Sequence, residues 1–303
     1  MKRVIAIVGP TGVGKSALAL KLAQDFHGEI ISADSRQVYR YLDIGTAKPT
    51  GAEQALARHH LIDIINPDQS FSLAQYQALA YKTIGEIASR GHVPLLVGGS
   101  GLYVWAVLEG WQIPRVAPDL DLRKRLEGRA AQGESEKLYE ELKQLDAEAA
   151  SRIEPRNVRR VIRALEIKQN PGASSKALKT KPPFDGLIIG LSTSREALYR
   201  RINERVDDMV SRGLVKEVKS LVDKGYKLEL PSMSGIGYRQ IGFFLQGKIS
   251  LDEAIQQVKN ESHRLVRQQY NWFGPKDDRI HWFDVDNEPY LQIKTTVMEF
   301  LNT

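Results

Sequence analysis

The sequence predicts an α/β fold, a parallel sheet with helices on both faces and a helical insertion. Three observations predict it. The octapeptide Gly9-Pro10-Thr11-Gly12-Val13-Gly14-Lys15-Ser16 matches the phosphate-loop pattern G-x-x-x-x-G-K-[ST], which makes the sheet P-loop NTPase-like. Strand-like and helix-like periodicities alternate through residues 1–113, as successive βαβ units do. After a wholly helical stretch, a buried-strand pattern returns at Leu187, so the chain re-enters the sheet.

In order, residues 4–8 form an apolar run that reads as a buried strand, and residues 17–23 read as the first turns of a helix. Strand, glycine loop and helix give the motif its context. Glycines let backbone N–H groups turn inward around phosphate oxygens, and the helix N-terminus adds partial positive charge. Lys15 is placed to reach a phosphate, and the Ser16 hydroxyl to face Mg²⁺. A second strand, residues 29–33, ends at Asp34-Ser35-Arg36-Gln37. A carboxylate there can act as metal ligand, general base or turn former.

Residues 61–65 read as a short strand, 73–88 as a helix and 93–97 as another buried strand, which runs into Gly98-Gly99-Ser100-Gly101. Ligands sit at the carboxyl ends of strands in such sheets, so Asp34 and Ser100 are expected beside the P-loop. The strand before Gly98 lacks the acidic residue that helps ATPases hold Mg²⁺, which argues against ATP hydrolysis. His59, His60 and Asp63 lack the spacing of a metal cluster.

Residues 119–168 carry helical periodicity alone. The chain is therefore divided into a P-loop core, residues 1–113 and 187–303, and a helical insertion, residues 114–186. In the last insertion helix Arg156, Arg159, Arg160 and Arg163 share one face, with Val158, Ile162 and Leu165 opposite. No acid is interleaved in the stripe, so the four charges repel unless an anion covers them, and a phosphate backbone is the expected cover. Arg123, Lys124 and Arg125 add charge nearby. Residues 170–185 read as a polar, proline-rich and mobile connection.

Beyond it come the strand at 187–191 and a long helix to about residue 211, with Ser194 as its cap. Arg201 and Arg205 share one face of that helix, with Glu204 and Asp207 available for pairing. Then follow a helix over 214–224, a Gly-rich loop over 231–240 that opens another, and a long helix over 251–272. A strand at 280–283 and a C-terminal helix finish the fold.

A net charge of +6 suggests a polyanionic partner. The absence of cysteine excludes disulfides, thiolate zinc sites and cysteine nucleophiles, and fits a reducing cytoplasm. No apolar stretch has membrane-spanning length, and the N-terminus has no signal-peptide pattern. A monomer is expected.

Taken together, several stretches resemble the tRNA dimethylallyltransferases, also called tRNA isopentenyltransferases. They are the P-loop, the run from Ser32 through Asp34 to Tyr39, Asp43-Ile44-Gly45-Thr46-Ala47-Lys48-Pro49, and His59-His60-Leu61-Ile62-Asp63. Leu95 through Tyr103, Arg163-Ala164-Leu165-Glu166 and Gly235-Ile236-Gly237-Tyr238-Arg239 continue the series in the family's order. The resemblance implies transfer of a dimethylallyl group from dimethylallyl diphosphate to N6 of adenosine 37, beside the anticodon of a tRNA. It implies Asp34 as general base, and Thr11, Lys15, Ser16 and Arg205 on the diphosphate, with Mg²⁺.

It further implies contacts to the tRNA anticodon loop from Asp34, Ser35, Arg36, Gln37, Ser100 and Arg123. The same holds for Arg159, Arg160, Val161, Ile162 and Arg163, and for Ser234, Gly235, Ile236, Gly237, Tyr238 and Arg239. The chain departs from the family at Gly12-Val13, where Ala-Ser is common, and at Ser16 and Ser100, where Thr is usual. His263 and Gln268 stand where arginines are expected. A nucleotide or small-metabolite kinase is the rival reading; it needs an ATP base site and an arginine-bearing lid. An RNA-binding protein with a degenerate P-loop is opposed by the intact Lys15-Ser16.

Overall fold

A computed structural model describes residues 2–114, 116, 119–170 and 179–303. Among these residues the strands are β1 (Lys2–Val8), β2 (Gly28–Ser32), β3 (His59–His60), β4 (Val93–Val97), β5 (Phe184–Ser192) and β6 (Ile280–Asp284). They form one sheet of order β3-β2-β4-β1-β5-β6 with every pair parallel. The helices of the first half are α1 (Lys15–Asp25), α2 (Gly51–Leu56), α3 (Leu73–Ser89) and α4 (Gly101–Leu108). Four more follow, α5 (Leu120–Arg129), α6 (Ser135–Leu145), α7 (Ala147–Ser151) and α8 (Val158–Lys168). The last five are α9 (Arg195–Ser211), α10 (Leu214–Asp223), α11 (Tyr238–Leu245), α12 (Leu251–Trp272) and α13 (Tyr290–Asn302).

Residues Val4 to Val8 are wholly buried, which is why β1 reads as a continuous apolar run and not an alternating one. Leu18 and Leu22 of α1, Leu198 and Ile202 of α9, and Val297 of α13 pack on Ile5, Ile7 and Ile189. From β1 the chain moves two places to one side, later fills the gap with β4, and then crosses to the other side for β5. The carboxyl ends of β1 and β4 therefore flank the switch point where such sheets bind ligands.

The strand expected at residues 61–65 is absent. The pairing residues are His59 and His60, and the next stretch turns, with Leu61 at φ 61° and Asp63 at φ 55°. Left-handed backbone cannot continue a ladder, so the apolar Leu61, Ile62, Ile64 and Ile65 mark a turn and one isolated bridge, Tyr39 to Ile65.

The chain divides into two compact units, Met1–Leu108 with Pro182–Thr303, and Glu109–Lys181. Their edges differ from those drawn at Pro114 and Leu187. Trp111 bridges Lys179, the Thr180 N–H donates to the Gly110 carbonyl, and β5 already begins at Phe184. Residues 171–178, most of the connection read as mobile, lie outside the described residues.

The second unit buries Leu122, Leu126, Leu138, Leu142, Ile162 and Leu165 against one another. Val161 and Ile162 are 1% and 3% exposed, so their side chains hold α8 to its neighbours and are not surface contacts. Arg156, Arg159 and Arg160 are exposed and have no ion-pair partner among the described residues. The stripe nevertheless has an acid. Glu166, with a wholly buried side chain, accepts two hydrogen bonds from Arg123 (2.9 and 2.7 Å), one from the Asp119 N–H (2.7 Å) and one from Arg163. Burial works to raise the Glu166 pKa, but these donors outweigh it and hold the carboxyl below the usual range. Arg123 and Arg163 thus share one internal carboxylate, which offsets one of their two charges, and the stripe arginines with no ion pair among the described residues are Arg156, Arg159 and Arg160.

Candidate active site

The P-loop closes the gap between β1 and α1. Gly9, Gly12 and Gly14 have φ of 139°, 82° and 105°. At Gly9 the requirement is absolute, because a Cβ would lie 2.6 Å from the Leu191 carbonyl of the neighbouring strand. Val13 turns inward, 1% exposed, into the core between sheet and helices. Thr11, Gly12, Gly14, Lys15 and Ser16 face an open cavity of about 990 Å³, whose lining omits Gly9, Pro10 and Val13.

Asp34, Ser35, Arg36, Gln37, Ser100, Arg205, Ser234, Gly235, Ile236 and Tyr238 line the same cavity. Sheet topology explains the gathering: these residues follow β2 and β4, or come from α9, the loop before α11 and the first residue of α11. Gly237 and Arg239 stand outside the lining, Gly237 buried at the start of α11 and Arg239 exposed.

Lys15 folds back on its own loop, donating to the Gly9 and Pro10 carbonyls at 2.9 and 2.8 Å. Burial, and then repulsion from Arg205, lower its pKa to about 7 against the opposing pull of Asp34. Arg205 donates to Thr11 Oγ1 at 3.3 Å. Burial lowers the Arg205 pKa too, and Asp34 again works the other way. Asp207 binds Lys259 at 2.7 Å and Arg201 binds Asp286 at 3.0 Å, and among the described residues neither Glu204 nor Asp207 pairs with Arg205. Lys15 and Arg205 are thus held near each other, and neither has an ion-pair partner among the described residues, although the Asp34 charge acts on both.

The two carboxylate oxygens of Asp34 have different surroundings. Its Oδ1 accepts the Arg36 N–H at 2.7 Å and the Gln37 N–H at 3.4 Å, the geometry of a turn former. No protein group among the described residues donates to Oδ2. Arg36 and Gln37 hold the walls: Arg36 donates to the Pro231 and Ser232 carbonyls and to Ser234 Oγ (2.6, 3.3 and 3.2 Å). Gln37 donates to the Thr46 and Ala47 carbonyls, both at 3.2 Å. Ser100 Oγ accepts the Ser35 N–H at 3.1 Å.

Some site residues have no local sequence signal. Glu217 on α10 accepts the N–H groups of Asp43, Ile44 and Gly45 (3.2, 2.8 and 3.2 Å) and the Tyr238 hydroxyl (2.6 Å). It fixes the 43–45 loop and gives the Tyr238 hydroxyl a partner within the protein; that side chain is 1% exposed. Tyr103 stacks on Tyr76 with centroids 3.8 Å apart and, with Trp272, gives the cavity aromatic walls. His263 stacks on Tyr199 at 4.0 Å, whereas Gln268 lines the cavity.

His59, His60 and Asp63 have separate partners: the Ala57 carbonyl at 2.8 Å, Glu29 at 2.6 Å and Lys48 at 2.5 Å. For a metal, Ser16 offers an exposed hydroxyl, a hard-oxygen donor, on the P-loop side of the cavity. Mg²⁺ keeps most of its waters and takes few protein ligands, so one hydroxyl beside phosphate oxygens fits it.

A phosphate loop and a carboxylate share one cavity, with no acid at the end of β4, an arrangement suited to moving a group off a phosphate-bearing donor. The model of the family described as IPP transferase matches residues 37–276, and this chain belongs to that family. A tRNA dimethylallyltransferase of Dehalococcoides mccartyi is 48% identical over 98% of this chain and 92% of its own length. One of Roseiflexus sp. is 52% identical over 89% of each. Among solved structures, the full-length tRNA isopentenylpyrophosphate transferase of Bacillus halodurans is 42% identical, with a TM-score of 0.75 over 100% of this chain and 97% of that one. A eukaryotic dimethylallyltransferase acting on tRNA is 28% identical, with a TM-score of 0.80 over 94% of this chain and 74% of its own. No helix among the described residues is long and apolar enough to cross a membrane.

Proposed function

We propose that the chain transfers a dimethylallyl group from dimethylallyl diphosphate to N6 of adenosine 37 in tRNA, releasing diphosphate. The observation that carries this reading is the cavity itself, which sets Lys15, Arg205 and Thr11 of the anion site opposite Asp34. The P-loop N–H groups, Lys15 and Arg205 bind the diphosphate. As its C–O bond breaks, the electron pair leaves with the diphosphate, where those fixed donors meet the growing charge. The N6 lone pair forms the new C–N bond, and the N6 proton passes to Asp34 Oδ2. Mg²⁺ held by Ser16 would add neutralising charge at the diphosphate.

The adenine has to leave its stack to enter such a cavity. Ser35, Ser100, Ser234, Gly235 and Ile236 line the cavity and form its RNA-facing wall. Arg159 and Arg160 of the helical unit bind backbone phosphates. Inorganic diphosphate should compete with dimethylallyl diphosphate, and ATP should yield no ADP with either tRNA or small acceptors. Steady ADP formation without prenyl transfer would establish the kinase instead.

Lys15 makes the anion site pH-sensitive. With its pKa near 7 in the free protein, Lys15 is charged below that value and largely neutral above it. A bound diphosphate raises the pKa, so binding above about pH 7 takes up a proton, and affinity falls by at most about tenfold per pH unit. Calorimetry with dimethylallyl diphosphate near pH 8.5, well above the last ionisation of a phosphate ester (about 6), in buffers of different ionisation heat should show uptake approaching one proton. Buffer-independent heats would contradict this.

The arginine stripe separates by partner. Arg159→Gln with Arg160→Gln should lower the salt slope of tRNA binding by about one per arginine and leave dimethylallyl diphosphate binding unchanged. Arg163→Gln should mainly lower thermal stability, because it removes a donor from buried Glu166. An unaltered slope in the double variant would return Arg159 and Arg160 to the solvated surface.

A further inference from the structure

Gln269 on α12 is buried, 7% exposed, and its carboxamide uses both ends inside the site. Oε1 accepts the Thr11 N–H of the P-loop at 2.8 Å, and Nε2 donates to the Gly99 carbonyl at 3.1 Å. The approach to Gly99 is so close that a Cβ there would lie 2.3 Å from Nε2. The next residue, Ser100, accepts the Ser35 N–H, and Ser35 adjoins Asp34. One side chain, 258 residues away from Thr11 in sequence, therefore bridges the anion half of the cavity and the half that carries the carboxylate.

We propose that Gln269 is a positioning residue that sets the separation between the P-loop and the Asp34 segment, and with it the alignment of leaving diphosphate and attacking amine. The inference rests on the transferase reading. Several observations support it. A carboxamide suits the place because one partner is a donor and the other an acceptor; a carboxylate would repel the Gly99 carbonyl, and an ammonium could not accept from Thr11. The Thr11 N–H, engaged by Gln269, is held out of the phosphate cradle, so Thr11 presents its hydroxyl, already bound by Arg205. The glycine at position 99 also acquires a reason: it leaves room for the carboxamide.

The test uses Gln269→Ala, Gly99→Ala and the double variant in the full chain, each scored per folded molecule. Because transfer needs reacting atoms within about an ångström of alignment, Gln269→Ala should slow single-turnover transfer at saturating substrates by roughly tenfold to a hundredfold. Affinity for dimethylallyl diphosphate should move less than about threefold, since the other P-loop groups remain. Gly99→Ala alone should be slow as well, because its methyl collides with the carboxamide. In the double variant the collision is gone, and its rate should match that of Gln269→Ala and not the product of the two losses.

Exchange of the Thr11 amide proton, measured without substrate, should speed up in Gln269→Ala. A wild-type rate in folded Gln269→Ala, with only a lower melting temperature, would reduce Gln269 to a packing residue and overturn the proposal. So would multiplicative losses in the double variant. If the wild-type chain transfers nothing, the transferase reading fails, and an unprotected Thr11 amide would then separately overturn the bridge.

Discussion

Asp34→Asn should lower kcat by roughly 10²–10⁴-fold, the usual worth of a positioned base. The exocyclic amine of adenine is a poor nucleophile because its lone pair is delocalised into the ring, so bond formation needs a proton acceptor in place. The structure makes this substitution a clean one. Oδ1 of Asp34 serves the turn by accepting the Arg36 N–H at 2.7 Å, and the asparagine carbonyl oxygen can do the same. What changes is the second position, where an oxygen able to take a proton becomes an NH₂ group. The loss of a turn cap alone would cost about 1 kcal/mol of stability and leave turnover per folded molecule intact. Affinity for tRNA and for dimethylallyl diphosphate should change little. Single-turnover rates near wild type in a folded Asp34→Asn protein would remove the base assignment.

Lys15→Met should be nearly as damaging to turnover, with the opposite signature in stability. Methionine keeps most of the length and removes the charge that meets the leaving diphosphate; losing one such preorganised group costs about 10²–10³-fold in turnover. In the empty site, however, Lys15 is penalised by burial and by Arg205, as its lowered pKa of about 7 records. Removing it relieves both, so the melting temperature of the ligand-free protein should stay level or rise. Proton uptake on diphosphate binding should vanish in the same variant. Measured together by turnover and thermal scanning, a parallel loss of both would show that Lys15 holds the loop's shape and does not act on the ligand.

The parts of this site legible in the sequence are those specified by neighbours along the chain. The P-loop is a local pattern, Asp34 ends a strand, and α12 spans the residues its apolar spacing marks, Leu251–Trp272. Sheet topology then places loops at the ends of β1, β2 and β4 side by side. Residues that reach the site from a distant helix left no such trace. Glu217 and Gln269 sit on amphipathic helices where one polar residue looks ordinary, and their partners are mostly backbone groups, which have no sequence identity.

Other misreadings have physical causes as well. The β-branched run at 61–65 resembled a strand, but two left-handed residues turn it. Glu166, three residues beyond Arg163, was a readable helical neighbour, and the stripe was not free of acid. Val161 and Ile162 lie among the arginines in sequence and on the buried side in space.

In the proposed reaction the anion site and the Asp34 carboxylate act together, in prenyl transfer to a tRNA base. This is tested most directly by incubating the protein with unmodified tRNA, Mg²⁺ and dimethylallyl diphosphate labelled in the prenyl group, then digesting the tRNA and locating the label. One label per tRNA is expected, on N6 of adenosine 37, with one diphosphate released for each and the signal lost in Asp34→Asn. Label that stays with the diphosphate, or that reaches other positions equally in wild type and Asp34→Asn, would contradict it.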